Sequence, residues 1–194
     1  MKKGLKLLIL SDLFIIMGFG LIGPILAIFI KEELIKGSIT AVGIAETVFL
    51  LTKSLFSIPF GKIEDHHGKK RYLLIGTFLM AFAPLGYYLM TTITHLYIIQ
   101  FVYGLGAAMA YPSFGVLFLR YLDRGKEAYE WGVYGTVVGI GTAITAFVGA
   151  FIAERFAFDY LFLGTFVVCL AGTILLFFIP PEHFKKIKKR ISKQ

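Results

Sequence analysis

Apolar positions in this chain gather into six long runs, separated by short stretches that are charged, polar or rich in glycine. The runs cover 7–30, 40–60, 72–90, 95–119, 131–153 and 160–179. Each is close to the roughly 20 apolar residues that carry a helix across about 30 Å of hydrocarbon. A helix satisfies its own backbone polar groups in lipid, so the pattern predicts an all-α integral membrane protein with six transmembrane helices. The first run follows Met1-Lys2-Lys3 and has the outline of a secretory leader. It is too long for one, reaches Lys31-Glu32-Glu33 and offers no small-residue cleavage site there, so it is read as the first helix. Residues 1–182 then form one six-helix bundle, and 183–194 form a basic tail.

Composition agrees with a membrane protein. Hydrophobic residues make up 57% of the 194, aromatic residues 16%, and mean hydropathy is +0.78, too apolar for a soluble domain of this size. Charge adds the orientation. The N-terminal stub, the 61–71 and 120–126 segments and the tail from Lys185 hold most of the 20 lysines and arginines, whereas Lys31, Lys36 and Arg155 fall on the opposite side. The positive-inside rule therefore predicts that both termini are cytoplasmic. The net charge of +8 is a topology signal directed at anionic headgroups rather than a nucleic-acid footprint. Lys185-Lys186-Ile187-Lys188-Lys189-Arg190 follows the Pro180-Pro181 helix stop and is a juxtamembrane segment. The lone Cys169 excludes an internal disulfide and is expected to pack within the sixth helix.

The densest local signal is Gly61-Lys62-Ile63-Glu64-Asp65-His66-His67-Gly68-Lys69-Lys70-Arg71, squeezed between the second and third runs. Two glycines seven residues apart bracket an acid and lead into three cations. This resembles the loop motif between helices 2 and 3 of the major facilitator superfamily, roughly G-x-L-a-D-r-x-G-r-k-x. Gly61, Asp65, Gly68, Lys69 and Lys70 match in place; Ile63 replaces leucine and His66 stands where a cation is usual. The glycines suit a tight turn that needs positive φ, and Asp65 is an acid able to dock on a cation or a helix N-terminus during gating.

The resemblance implies a fold of two six-helix halves related by an axis along the membrane normal, of which this chain resembles the first. Two explanations stand: a half-size transporter that works as a parallel homodimer, or the N-terminal fragment of a longer transporter. The helix stop, the basic tail and termini on one side favour the homodimer. Two further family patterns are eroded. The helix 4 pattern R-x-x-q-G-x-g-a-A appears as 100–108 with Gln100 in the arginine position, and the helix 5 Gly-Pro run of antiporters lacks its proline near Gly149. In helix 5, Gly132, Gly135, Gly139, Thr142, Ala146 and Gly149 recur at spacings of three and four, a face that allows close helix approach in lipid. The resemblance places this stripe, with Gly43 of helix 2, at the dimer interface; packing within one protomer is the alternative.

Asp12, Glu46 and Lys53 are ionisable residues inside apolar helices, which makes them functional candidates. At about 1.5 Å per residue, Asp12 and Lys53 share a level and are expected to form an ion pair. Glu46, seven residues from Lys53 on one helical face, has no evident cation and is the expected proton carrier. Gly43, Glu46, Lys53 and Ser57 form a polar stripe on helix 2. Gln100, Tyr103 and Tyr111 form one on helix 4; the resemblance implies that helices 1 and 4 line a central cavity, to which helix 1 would add Phe14, Phe19 and a hinge at Gly23-Pro24. Tyrosines at helical spacing also suit core or interface positions. His95 is expected at the outer surface. His66 and His67 beside Glu64 and Asp65 make a poor metal cluster, and no metal or cofactor is expected.

No P-loop, H-E-x-x-H, nucleophile elbow or cysteine pair is present. The sequence therefore points to a secondary transporter of the cell membrane, not an enzyme. Its expected partners are a small-molecule substrate, protons and the bilayer. The glycine-rich first helix with its Gly23-Pro24 pair and the acid Glu46 in helix 2 resemble the drug–proton antiporters of that superfamily, which implies proton-coupled export of small amphipathic molecules. A symporter of a sugar or small metabolite, with Gln100, Tyr103 and Thr47 as hydrogen-bonding groups, and a non-transporting membrane subunit are the competing readings.

Overall fold

A computed structural model of the chain describes residues 1–66 and 68–180. The basic tail and His67 lie outside the described residues. Six helices follow in order: α1 (Lys3–Glu32), α2 (Ile39–His66), α3 (Lys69–Leu89), α4 (Ile93–Tyr121), α5 (Glu127–Arg155) and α6 (Phe158–Phe177). All six are long and apolar enough to cross a membrane. Each of the six contains most of an apolar run, and all but α3 and α6 extend past it at both ends. α2, at 28 residues, is about 42 Å long, so its last turns project beyond a hydrocarbon core of about 30 Å.

That projection changes the reading of the 61–71 segment. It is not an open loop. α2 continues to His66, Gly68 caps α3, and Lys69 is already helical. Gly61 and Gly68 have negative φ and open space where a Cβ would stand. The positive φ expected of them belongs instead to Lys36, in the turn before α2, and to Gly125, between α4 and α5.

Packing follows the order α2–α4–α3–α6–α1–α5, with lighter contacts of α1 on α2 and α4. The tightest seam joins α3 to α4, where glycine is required: a Cβ on Gly76 would stand 2.5 Å from the Gly106 carbonyl oxygen, and one on Gly106 would stand 2.7 Å from that of Gly76. Cys169 of α6 is buried against Gly18 of α1. Prolines 59, 84 and 112 sit inside α2, α3 and α4, as membrane helices tolerate when neighbours satisfy the freed carbonyls.

The core has two lobes. Leu5, Leu8, Leu73, Leu117, Phe118 and Leu176 pack at the end bearing Lys69 and the N-terminus; Ile22, Ile30, Tyr87, Leu96 and Phe162 pack at the other. Phe19 and Tyr103 touch both lobes. At the basic end Glu130 is fully buried at the start of α5. It accepts from the Asp123 backbone N–H at 2.9 Å and has the Met1 ammonium at 3.4 Å. The same ammonium bonds Asp123 at 3.0 Å and holds its carboxyl below the usual carboxylate range.

Candidate functional site

Two helices are left largely uncovered. In α2 and α5 only 22% and 17% of the central window is buried, against 39–50% in the other four. They stand at the two ends of the packing order, with α1 and α4 between them, so the described residues leave one broad face of the bundle uncovered. Exposed Ile44, Leu51 and Leu55 of α2 and Ile140, Ile144 and Phe147 of α5 make the two flanks of the bundle apolar.

Glu46 is exposed on α2, beside an equally exposed Thr47 whose hydroxyl donates to the Gly43 carbonyl of the same helix at 2.8 Å. Lys53, two turns further along, is half-buried. Its ammonium lies 4.1 Å from the centre of the Tyr111 ring and 5.9 Å from that of Phe49. The expected ion pair with Asp12 is not formed. Asp12 Oδ2 instead accepts from the Tyr134 hydroxyl at 2.7 Å, which links α1 to α5. Depth along a helix does not decide azimuth: the Lys53 ammonium meets the ring of Tyr111 where the carboxylate was expected. Asp12, Tyr111, Phe114 and Tyr134, with Thr77 and Met80 of α3, line a small cavity of about 80 Å³ behind this face.

The helix 4 stripe is also rearranged. Gln100 is buried, and its Oε1 accepts from the buried Tyr87 hydroxyl at 3.1 Å. It is therefore an interhelical link between α3 and α4 and not a cavity-lining group. Tyr103 is sandwiched between Phe19 of α1 at 4.7 Å and Phe49 of α2 at 4.5 Å, both stacked. This three-ring column occupies the waist of the bundle. Of the predicted cavity residues, Tyr111 is exposed, Phe14, Phe19 and Tyr103 are half-buried and Gln100 is buried.

The small-residue stripe of α5 divides. Gly135 and Gly139 meet nothing, Thr142 bonds its own helix at Val138, and Gly43 on α2 is likewise open. Gly149, by contrast, packs onto the Leu21 backbone of α1 inside the same protomer. Together with Gly141 and Thr145 it forms the true α1–α5 seam, at spacings of four that the sequence reading did not separate from the outer stripe. A drift of about 20° per heptad turns Gly149 by about 40° from Gly135, toward the buried edge that Gly141 and Thr145 mark.

Asp65 makes its ion pair with Lys69, one turn along the chain, at 3.0 Å. Lys70 bonds the carbonyls of Phe177 at 2.9 Å and Ile179 at 2.6 Å, fastening α3 to the end of α6. Two buried acids, Glu64 and Glu130, and the Tyr134 hydroxyl were not singled out from the sequence. A glutamate within a basic motif reads as solvated until its neighbours are known.

Residues 8–194 match the family model of the Major Facilitator Superfamily. The chain belongs to that family. It is a multi-pass membrane protein of transporter type. It is similar to the uncharacterized MFS-type transporter MJ1560 of Methanocaldococcus jannaschii, 23% identical over 194 residues, which covers 99% of this chain and 50% of the relative. It is also similar to the quinolone resistance protein NorA of Staphylococcus aureus, 24% identical over 154 residues, or 79% of this chain and 39% of the relative. The chain spans half or less of the length of these relatives.

Proposed function

We propose that this six-helix unit is one half of a proton-coupled secondary transporter, and that it pairs with a second copy of itself as a parallel homodimer. The unit exports small amphipathic molecules by alternating access, with both termini on the cytoplasmic side. The observation that carries this reading is Glu46, an acid exposed at membrane depth on a face that has no partner. A carboxylate in that position is tolerated only beside water or a polar partner, and a facing six-helix unit would enclose it in a central cavity. Gly43, Gly135 and Gly139 lie open on the flanking helices, as a close second unit needs. The likeness to a relative named as a quinolone resistance protein supports amphipathic substrates in this reading.

In this reading Glu46 takes a proton from one side and releases it to the other as the two units rock. Lys53, Tyr111 and the Asp12–Tyr134 pair line the path. Purified protein in liposomes tests the reading with a fluorescent amphipathic cation and an imposed pH gradient. Uptake against the gradient is expected in the wild type and lost in Glu46→Gln, with exchange at equal pH retained. A Glu46→Gln protein that still concentrates the dye like the wild type would remove Glu46 from the coupling step.

A further inference from the structure

Glu64 takes no part in the pathway above, yet its surroundings are unlike those of a solvated acid. It lies in the last turn of α2 and is 2% exposed, between two exposed neighbours. Its Oε2 is 2.8 Å from the hydroxyl of Ser113 on α4, which is itself fully buried. Its Oε1 is buried with no hydrogen-bond partner among the described residues. The nearby cation does not neutralise it. Lys69 of α3, also buried, donates to the backbone carbonyl of Glu64 at 3.2 Å and to Asp65 Oδ1 at 3.0 Å.

Among the described residues, the charged groups that act on Glu64 are thus Lys69 from α3 and Asp65 from its own helix, and the α4 group that touches it is the neutral Ser113 hydroxyl. Glu130 is equally buried, but it has the Met1 ammonium and a backbone N–H against its two oxygens. An ionised carboxylate with one neutral partner and one bare oxygen is strongly disfavoured away from water. A neutral carboxyl group fits the same space, with its O–H and the Ser113 hydroxyl sharing one hydrogen bond.

We propose that Glu64 is a proton-binding site, neutral in this conformation, whose deprotonation draws Lys69 from Asp65 to Glu64. The carboxyl O–H bond breaks, the proton passes to water at the basic end of the bundle, and Lys69 stays an ammonium throughout. The trio changes from net neutral to one negative charge, and Asp65 is left free for another donor. This site is about five turns of α2 from Glu46 and stands whether or not Glu46 couples transport. It ties the protonation of a buried acid to the availability of the motif aspartate.

Infrared difference spectra of the full chain in lipid nanodiscs, recorded as pH is stepped upward, test the proton. The wild type is expected to lose a protonated-carboxyl C=O band that is absent from Glu64→Gln and retained in Asp65→Asn. Ser113→Ala keeps the acid and removes its neighbour, so the same band must move in frequency. Identical spectra for wild type and Glu64→Gln at every pH, or an unmoved band in Ser113→Ala, overturn the assignment. The lysine transfer is read from the ¹⁵N signal of Lys69, identified by its loss in Lys69→Arg. It should shift with the carboxyl step in the wild type and stay fixed in Glu64→Gln. A fixed signal in the wild type overturns the transfer.

Discussion

The Tyr134 hydroxyl and the Asp12 carboxylate meet at 2.7 Å across the α1–α5 seam, so the acid in the first helix is held by a neutral phenol rather than by a cation. A hydrogen bond to a charged group contributes on the order of 1.5–3 kcal/mol. Tyr134→Phe should therefore destabilise the protein by about 2 kcal/mol in detergent melts. Asp12→Asn keeps an oxygen acceptor for the phenol and should cost about 1 kcal/mol or less. In the double variant the two effects should be clearly less than additive; strict additivity would show that the contact contributes nothing.

Lys53 rests on aromatic rings, and this reverses the expected effect of removing it. Had it been paired with Asp12, its loss would strand a buried carboxylate at a cost of about 3–5 kcal/mol. Its ammonium lies instead over Tyr111 at 4.1 Å, a contact worth about 0.5–2 kcal/mol. Lys53→Met should melt within about 1 kcal/mol of the wild type, since a long apolar side chain suits the same half-buried position. Tyr111→Phe should leave Lys53 undisturbed, whereas Tyr111→Leu should raise its reactivity toward an amine-directed reagent. A severely unstable Lys53→Met would count against the aromatic seat.

The split glycine stripe of α5 predicts two classes of variant. Gly149→Leu forces a side chain into the Leu21 backbone and should destabilise the isolated unit by about 1–3 kcal/mol or more. Gly139→Leu meets open space and should leave the unit's melting unchanged. If a second copy covers that face, Gly139→Leu should shift the protein toward monomer in native mass spectrometry from nanodiscs, and Gly139→Cys should cross-link. Equal melting losses in both variants would contradict the division.

Asp65 and Lys69 form a pair in which the acid side chain is 73% exposed. Lys69 is itself buried, but its ammonium also donates to the Glu64 carbonyl and an asparagine oxygen at position 65 can still accept from it, so Asp65→Asn should lower stability by only about 1 kcal/mol. An effect on function would then be conformational. Spin labels at the basic ends of α2 and α5 should report a changed balance of distances in Asp65→Asn, because interconverting states lie within a few kcal/mol of one another. Unchanged distance distributions would remove Asp65 from gating.

The number of helices, their approximate spans and the family were all legible in the order of residues, because hydrocarbon thickness sets a length that apolar runs must meet. The 61–71 motif was legible for the same kind of reason: a fixed spacing in one short segment needs no tertiary contact to be seen. What the chain order did not decide was azimuth. Equal depth would pair Asp12 with Lys53, yet the azimuths of α1 and α2 give one to Tyr134 and the other to Tyr111. The same freedom turned Gln100 inward to Tyr87, sent Gly149 to α1 while leaving Gly139 open, and buried Glu64 under Ser113. Apolar periodicity is a weak guide to rotation in a membrane helix, because lipid and protein core are equally apolar and both faces of the helix carry the same residues. Only packing against specific neighbours, such as the Gly76–Gly106 contact and the Phe19–Tyr103–Phe49 column, fixes that angle and with it the surroundings of every charged group.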